Sequence, residues 1–210
     1  MYMTQRDNDI LDSLVFNVNL FSFKQITTFF WGDSKASKCS ARKRLTELVS
    51  NKYLCKEQVL ALNTFPLKNP LYEWSPGQPW PEYERLSEVL NYRWTLESPC
   101  ITTVYFASKK AVNCLGGPYS LFNRARASQN LNVSQLYFNL YKEQMLFKWK
   151  WIGEANLAET SEEGDRIPDA ILKKENESDI AIRLVSKLSV DRLESLHEYH
   201  VKKGMRYQLW

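Results

Sequence analysis

The sequence predicts an α+β chain in two parts, and three observations carry that prediction. The first 80 or so residues run helix, helix, helix and then two strand-like stretches. The last third alternates helical and strand-like periodicity, and a proline-bearing connector stands between the two. With 210 residues there is room for two small domains, each able to bury a core. Apolar residues make up 44% and aromatics 13%, outside the low-hydrophobicity, high-charge range in which chains stay disordered.

The elements follow in order. Thr4 is placed to cap a helix on which Ile10, Leu11, Leu14 and Val15 recur at helical spacing. Ser22 caps a second, short helix carrying Ile26, Phe29 and Phe30, stopped near Gly32. Asp33 or Ser34 opens a third, on which Ala41, Leu45 and Leu48 form one apolar stripe. An apolar strand, 53–62, and a second, 71–74, are then expected to pair as a hairpin through a loop holding Pro66, Lys68 and Pro70. Residues 78–98 carry prolines around an amphipathic piece with Leu86, Val89 and Leu90, and 104–106 is a short strand. From 119 to 148 the pattern is helical, with Arg124 and Arg126 early and Leu131, Val133, Leu136, Tyr137, Leu140 and Tyr141 as an apolar stripe. Trp149 and Trp151, interleaved with Lys148 and Lys150, suit a half-buried strand better than a base-stacking surface. The expected division is 1–80, 81–118 as a connector, and 119–210.

Charge is unevenly spread. The net charge of +4 and pI of about 8.8 say little, but residues 34–56 hold seven Lys or Arg against one acid, Glu47. Residues 151–210 hold nine basic residues against twelve acidic ones. At 100° per residue, the side of the third helix away from its apolar stripe presents Lys35, Cys39, Lys43 and Ser50, flanked by Ser40 and Arg42, and Lys38 joins them as a candidate DNA contact. Small side chains let a helix approach the floor of the major groove while Lys and Arg reach phosphates or guanine edges. A solvated helix face is the alternative. Helix, helix, helix, hairpin is the winged-helix order, with Lys68 on the wing, so the expected partner is double-stranded DNA. A homodimer is expected from the way such proteins match palindromic sites.

The cysteines Cys39, Cys55, Cys100 and Cys114 form no CxxC pair, which argues against zinc and for reduced thiols. No leader and no span of about 18 apolar residues is evident, so a cytoplasmic location and no membrane partner are expected.

The C-terminal pattern is a helix with Glu154, a strand over 166–172, a strand over 180–187, a helix over 190–203 ended by Gly204, and a last strand over 205–210. This αββαβ order carries Pro168-Asp169 on one strand and Lys187 on the next. Such an arrangement is how PD-(D/E)xK nucleases hold two carboxylates on a magnesium ion with a lysine beside the attacked phosphate. The fold class expected of 119–210 is therefore a small α/β restriction-endonuclease-like domain.

Taken together, the winged-helix pattern, Ser128 to Tyr137, Trp151-Ile152-Gly153-Glu154 and Arg166-Ile167-Pro168-Asp169 resemble the replication-relaxation family, which includes MobC-type mobilisation relaxases. The resemblance implies plasmid or integrative-element biology, DNA binding near a transfer or replication origin, and in MobC-type members metal-dependent nicking. It assigns Glu154 as the first-helix acid, Asp169 as the metal ligand and Lys187 as the motif lysine. The acid expected two residues before Lys187 is Val185, and one frame earlier stands Arg183. Magnesium needs oxygen ligands, and Arg183 would repel it. Asp179 and Glu177 are the neighbouring loop acids, with nothing in their spacing to recommend them.

Two readings of Glu154, Asp169 and Lys187 stand: vestiges used for packing or protein contacts, or an Mg²⁺- or Mn²⁺-dependent site completed by a migrated acid. The expected function is a sequence-specific DNA-binding regulator or accessory factor of a mobile element, with a relaxosome-type protein as a further partner. The alternatives are a nickase and a protein-interaction module. His197 and His200 lie at i and i+3, a spacing that allows a metal but is expected to mark a solvent-facing helix.

Overall fold

The computed structural model describes residues 2–96, 98–142, 149–162, 165–175, 177–185 and 188–210. The fold is α+β, with two sheets packed against a shared helix. Thr4 caps α1 (Gln5–Asp12) in a reciprocal capping box with Asp7, and the helix runs on into a wider turn, Ser13–Asn17. Ser22 caps α2 (Phe23–Ile26) with Gln25 in the same way. A second wide turn, Thr27–Trp31, ends at Gly32, whose φ of 90° only glycine adopts without strain. Ser34 caps α3 (Lys35–Ser50), which buries Ala41, Leu45 and Leu48, the stripe expected of it.

The first sheet joins β1 (Phe21–Ser22), β4 (Cys100–Ala107) and β2 (Leu54–Ala61), all antiparallel. The expected hairpin between 53–62 and 71–74 does not form. β2 pairs along its whole length with β4, from Leu54 opposite Ala107 to Ala61 opposite Cys100, so part of the expected connector is a central strand. β3 (Tyr72–Trp74) pairs with β8 (Arg206–Leu209) in the other sheet, and there Trp74 is buried against Tyr207. An eight-residue ladder outweighs a three-residue one, and carrying the chain through a long excursion between β2 and β4 costs little because closure entropy grows only logarithmically.

The second sheet has the order β3-β8-β7-β6-β5. Its strands β5 (Lys150–Gly153), β6 (Ala170–Lys173) and β7 (Ile180–Arg183) form an antiparallel meander, and β7 runs parallel to β8 across α8 (Val190–Lys203). With α7 (Glu154–Thr160) in front of β6, the chain runs α7-β6-β7-α8-β8, the expected αββαβ, with β5 added at the edge. Residues 166–169 precede β6 rather than forming part of it. Trp151 lies buried in β5, in agreement with the strand reading of that segment.

α6 (Ala127–Lys142) holds the two sheets together. Its start packs Ala127 and Leu131 on Val59, Ala61 and Val104 of the first sheet. Its remaining length carries Val133, Leu136, Tyr137 and Phe138 into a core shared with Ile10 and Leu45 on one side and Trp151, Ile182 and Trp210 on the other. Polar side chains of α6 also tie down the irregular stretch after β2: Ser128 accepts from the Leu62 amide, Asn132 from the Phe65 amide, and Asn139 donates to the Leu67 carbonyl. The opposite face of the second sheet is covered by α4 (Tyr83–Arg93) and α8, through Leu86, Leu90, Leu193 and Leu196. α5 (Lys109–Leu115) follows β4, and the strand expected at 104–106 is the latter part of β4. Among the described residues no helix is long and apolar enough to cross a membrane.

Candidate nucleic-acid interface and carboxylate cluster

The predicted face of α3 is open to solvent. Lys35, Lys38, Cys39, Ser40, Arg42 and Lys43 are all exposed, and among the described residues none of the four charged ones forms an ion pair. Arg44 is different. Its guanidinium forks onto the fully buried Asp7 at 2.6 Å and meets Glu47 at 2.7 Å, so it fastens α3 to α1. Burial pushes the Asp7 carboxyl up, but hydrogen bonds from Arg44 and Thr4 together outweigh it and hold the group below the usual carboxylate range. Arg42 lies over the Phe23 ring at 5.4 Å, which links the basic face to the start of α2. Lys68 is exposed, but it sits on the stretch after β2 that α6 ties down and not on a hairpin loop joining 53–62 to 71–74, which do not pair.

The structure brings Glu154 and Asp169 together, and it does so through Arg126. One guanidinium nitrogen lies 2.5 Å from Glu154 and another 3.3 Å from Asp169. Asp169 is 7% exposed and also accepts from the Gln129 side-chain amide at 2.8 Å and from the Leu184 backbone amide at 2.8 Å. Glu154 accepts from Asn19 at 3.0 Å. Burial, only partly offset by the Leu184 amide, pushes the Asp169 carboxyl up to about 6. Gly153, just before Glu154, has its α-carbon against the Asn17 backbone, where a Cβ would collide with the Asn17 carbonyl.

These residues do not fit a divalent cation. The guanidinium of Arg126 already spans the two carboxylates, and among the described residues no third His, Cys, Asp or Glu converges on them. Arg183, standing where a second acid would be needed, is half-buried and close enough to Asp169 to act on its charge, and it donates to the carbonyls of Ile167 and Arg166 and to His200. The Val185 carbonyl accepts from the Trp94 indole at 2.6 Å. Asp179 and Glu177 lie at the far end of the β6–β7 hairpin, where they pair with Lys173 and Lys174. Lys187 lies outside the described residues.

His197 and His200 do not face solvent; both are fully buried. His197 shares a 2.9 Å hydrogen bond with Tyr207 and is surrounded by Trp74, Trp80 and Tyr83. His200 accepts from Arg183 at 3.3 Å, and burial together with that guanidinium pulls its ring down to about 3. Helical spacing alone does not say which side of α8 meets the sheet, and the histidines fall on that side with Leu193 and Leu196.

Sequence reasoning missed Arg126, Gln129 and Asn19. Arg126 is 28 residues from Glu154 and 43 from Asp169, and Asn19 is 135 from Glu154, separations at which no local pattern exists. The four cysteines are unpaired. Comparison of the chain with models of protein families, with curated proteins and with solved structures finds no match.

Proposed function

We propose that the chain is a sequence-specific double-stranded DNA-binding protein whose residues 4–61 and 100–107 make a winged helix-turn-helix, with α3 as recognition helix. The supporting observation is the solvent face of α3, with Lys35, Lys38, Arg42 and Lys43 unpaired among the described residues around the small side chains of Cys39 and Ser40. The Arg44–Asp7 pair spends the one cation needed to seat the helix and leaves the rest for DNA. In this reading the β2–β4 ribbon is the wing, and its loop is expanded into the segment that builds β3 and α4. The resemblance to the replication-relaxation family supports a role in transfer or replication of a mobile element, as regulator or accessory factor, acting as a homodimer or beside a relaxosome-type partner. A metal-dependent nickase is the weaker reading, because an arginine occupies the space between Glu154 and Asp169.

The test is binding to origin-region duplex across a salt series. Lys35→Ala, Arg42→Ala and Lys43→Ala should each weaken binding, and each lost phosphate contact should lower the log–log salt slope by about 0.9. An unchanged slope in the triple variant overturns the assignment. Supercoiled plasmid incubated with Mg²⁺ or Mn²⁺ should stay intact; nicking abolished by Asp169→Ala would establish the enzyme instead.

A further inference from the structure

A groove of about 1090 Å³ opens between the start of α2, the end of the β2–β4 ribbon, the stretch 62–68 and the outer side of α6. Among the described residues its lining holds Lys24, Lys68 and Lys142 and no Asp or Glu. All three lysines are exposed, and among the described residues none has an ion-pair partner. The charge calls for an anion. Half-buried Gln135 and Asn139, bonded to one another at 2.9 Å, also line it, as do the half-buried rings of Phe23 and Phe29. Phe23 is the ring beneath Arg42, so the groove continues directly from the basic face of α3.

We propose that this groove binds a single strand of DNA leading away from the duplex held on α3, an inference that rests on the DNA-binding reading of that helix. A positively charged groove that tracks phosphates beside aromatic rings is the recurring solution for single strands. Side-chain amides offer donors and acceptors to unpaired base edges. In a duplex the bases are stacked between two backbones and show only their groove edges, whereas a single strand can turn whole bases toward the amides of Gln135 and Asn139 and the rings beside them. The chain thus engages a junction between duplex and unpaired strand.

The experiment measures binding, across a salt series, to a labelled single strand, a blunt duplex and the same duplex with a single-stranded overhang. Lys24→Ala/Lys142→Ala should lower the single-strand salt slope by about 1.4, at roughly 0.7 per phosphate contact, and abolish the advantage of the overhang. Blunt-duplex affinity should stay within about twofold of the parent, since those phosphate contacts lie on α3. The α3 triple variant should do the reverse, losing duplex and keeping single strand, so failure of the α3 reading shows separately. Equal losses on duplex and single strand in the groove variant overturn the proposal, as does an unchanged single-strand slope. Displacement of the strand by inorganic phosphate at matched ionic strength would also overturn it, marking a simple anion site.

Discussion

Arg126 is the residue on which the carboxylate cluster turns. It neutralises two acids contributed by the start of α7 and by the residue before β6, and its fork geometry lets one side chain reach both. Arg126→Ala leaves Asp169 buried with only amide partners. It should cost on the order of 2 kcal/mol in urea unfolding, less than a fully buried pair because the guanidinium is partly solvated. Arg126→Lys should recover only part of that, because an ammonium cannot span both acids. The same locality sets two opposed pH dependences. The folded His200, at about 3, lies below its ordinary 6.5, so its contribution is present above 6.5 and is lost as pH falls. The folded Asp169, at about 6, lies above its ordinary 3.8, so its contribution is complete below 3.8 and is lost as pH rises through 6. Between those limits they offset one another. Relative to the parent, His200→Gln should gain stability on acidification and Asp169→Asn should lose it, each with a slope approaching ~1.4 kcal/mol per pH unit in denaturation measured across that window.

Among the elements, the turn after α1 lies directly against β5 and the start of α7. The Trp151 indole donates to the Asn17 carbonyl at 2.8 Å and Asn156 donates to the Phe16 carbonyl at 2.5 Å, while Gly153 lets the strand lie directly on that backbone. Gly153→Ala must push two backbones apart, so it should cost roughly 1–3 kcal/mol. For a chain of this size that is a fall of about 2–4 °C in Tm for each kcal/mol, readable by calorimetry or circular dichroism. Because the glycine also precedes Glu154, the shift should loosen the Arg126 cluster while leaving the α3 face, and duplex binding, in place.

At the scale of the whole molecule, α6 and the exchange of strands make the two sheets interdependent. The first sheet needs β4 from beyond residue 80, and the second needs β3 from before it. A fragment of residues 1–80 lacks the partner of β2 and the helix that covers Val59 and Ala61. It should remain unfolded by circular dichroism and show collapsed amide dispersion by NMR, whereas the full chain should unfold in a single transition. A folded 1–80 fragment would show that the N-terminal helices carry a sufficient core alone.

The sequence by itself determined the helices and their caps. Thr4, Ser22 and Ser34 cap where their side chains predict, the Ala41–Leu45–Leu48 stripe is buried, and α8 starts at Val190 and ends before Gly204 as its periodicity and glycine require. These are legible because a cap or a stripe is decided within a few residues. Asp169 is singled out by the local Pro168-Asp169 signal, though on a strand rather than just before one, and Glu154 only by the family resemblance. Only the tertiary structure decided the strand partners, the buried side of α8 and the arginine between the two acids. The physical reason is common to all three: a strand's apolar alternation fits any edge of matching length, a helix face is fixed only by what packs on it, and a guanidinium finds its carboxylates across separations that leave no trace in local spacing.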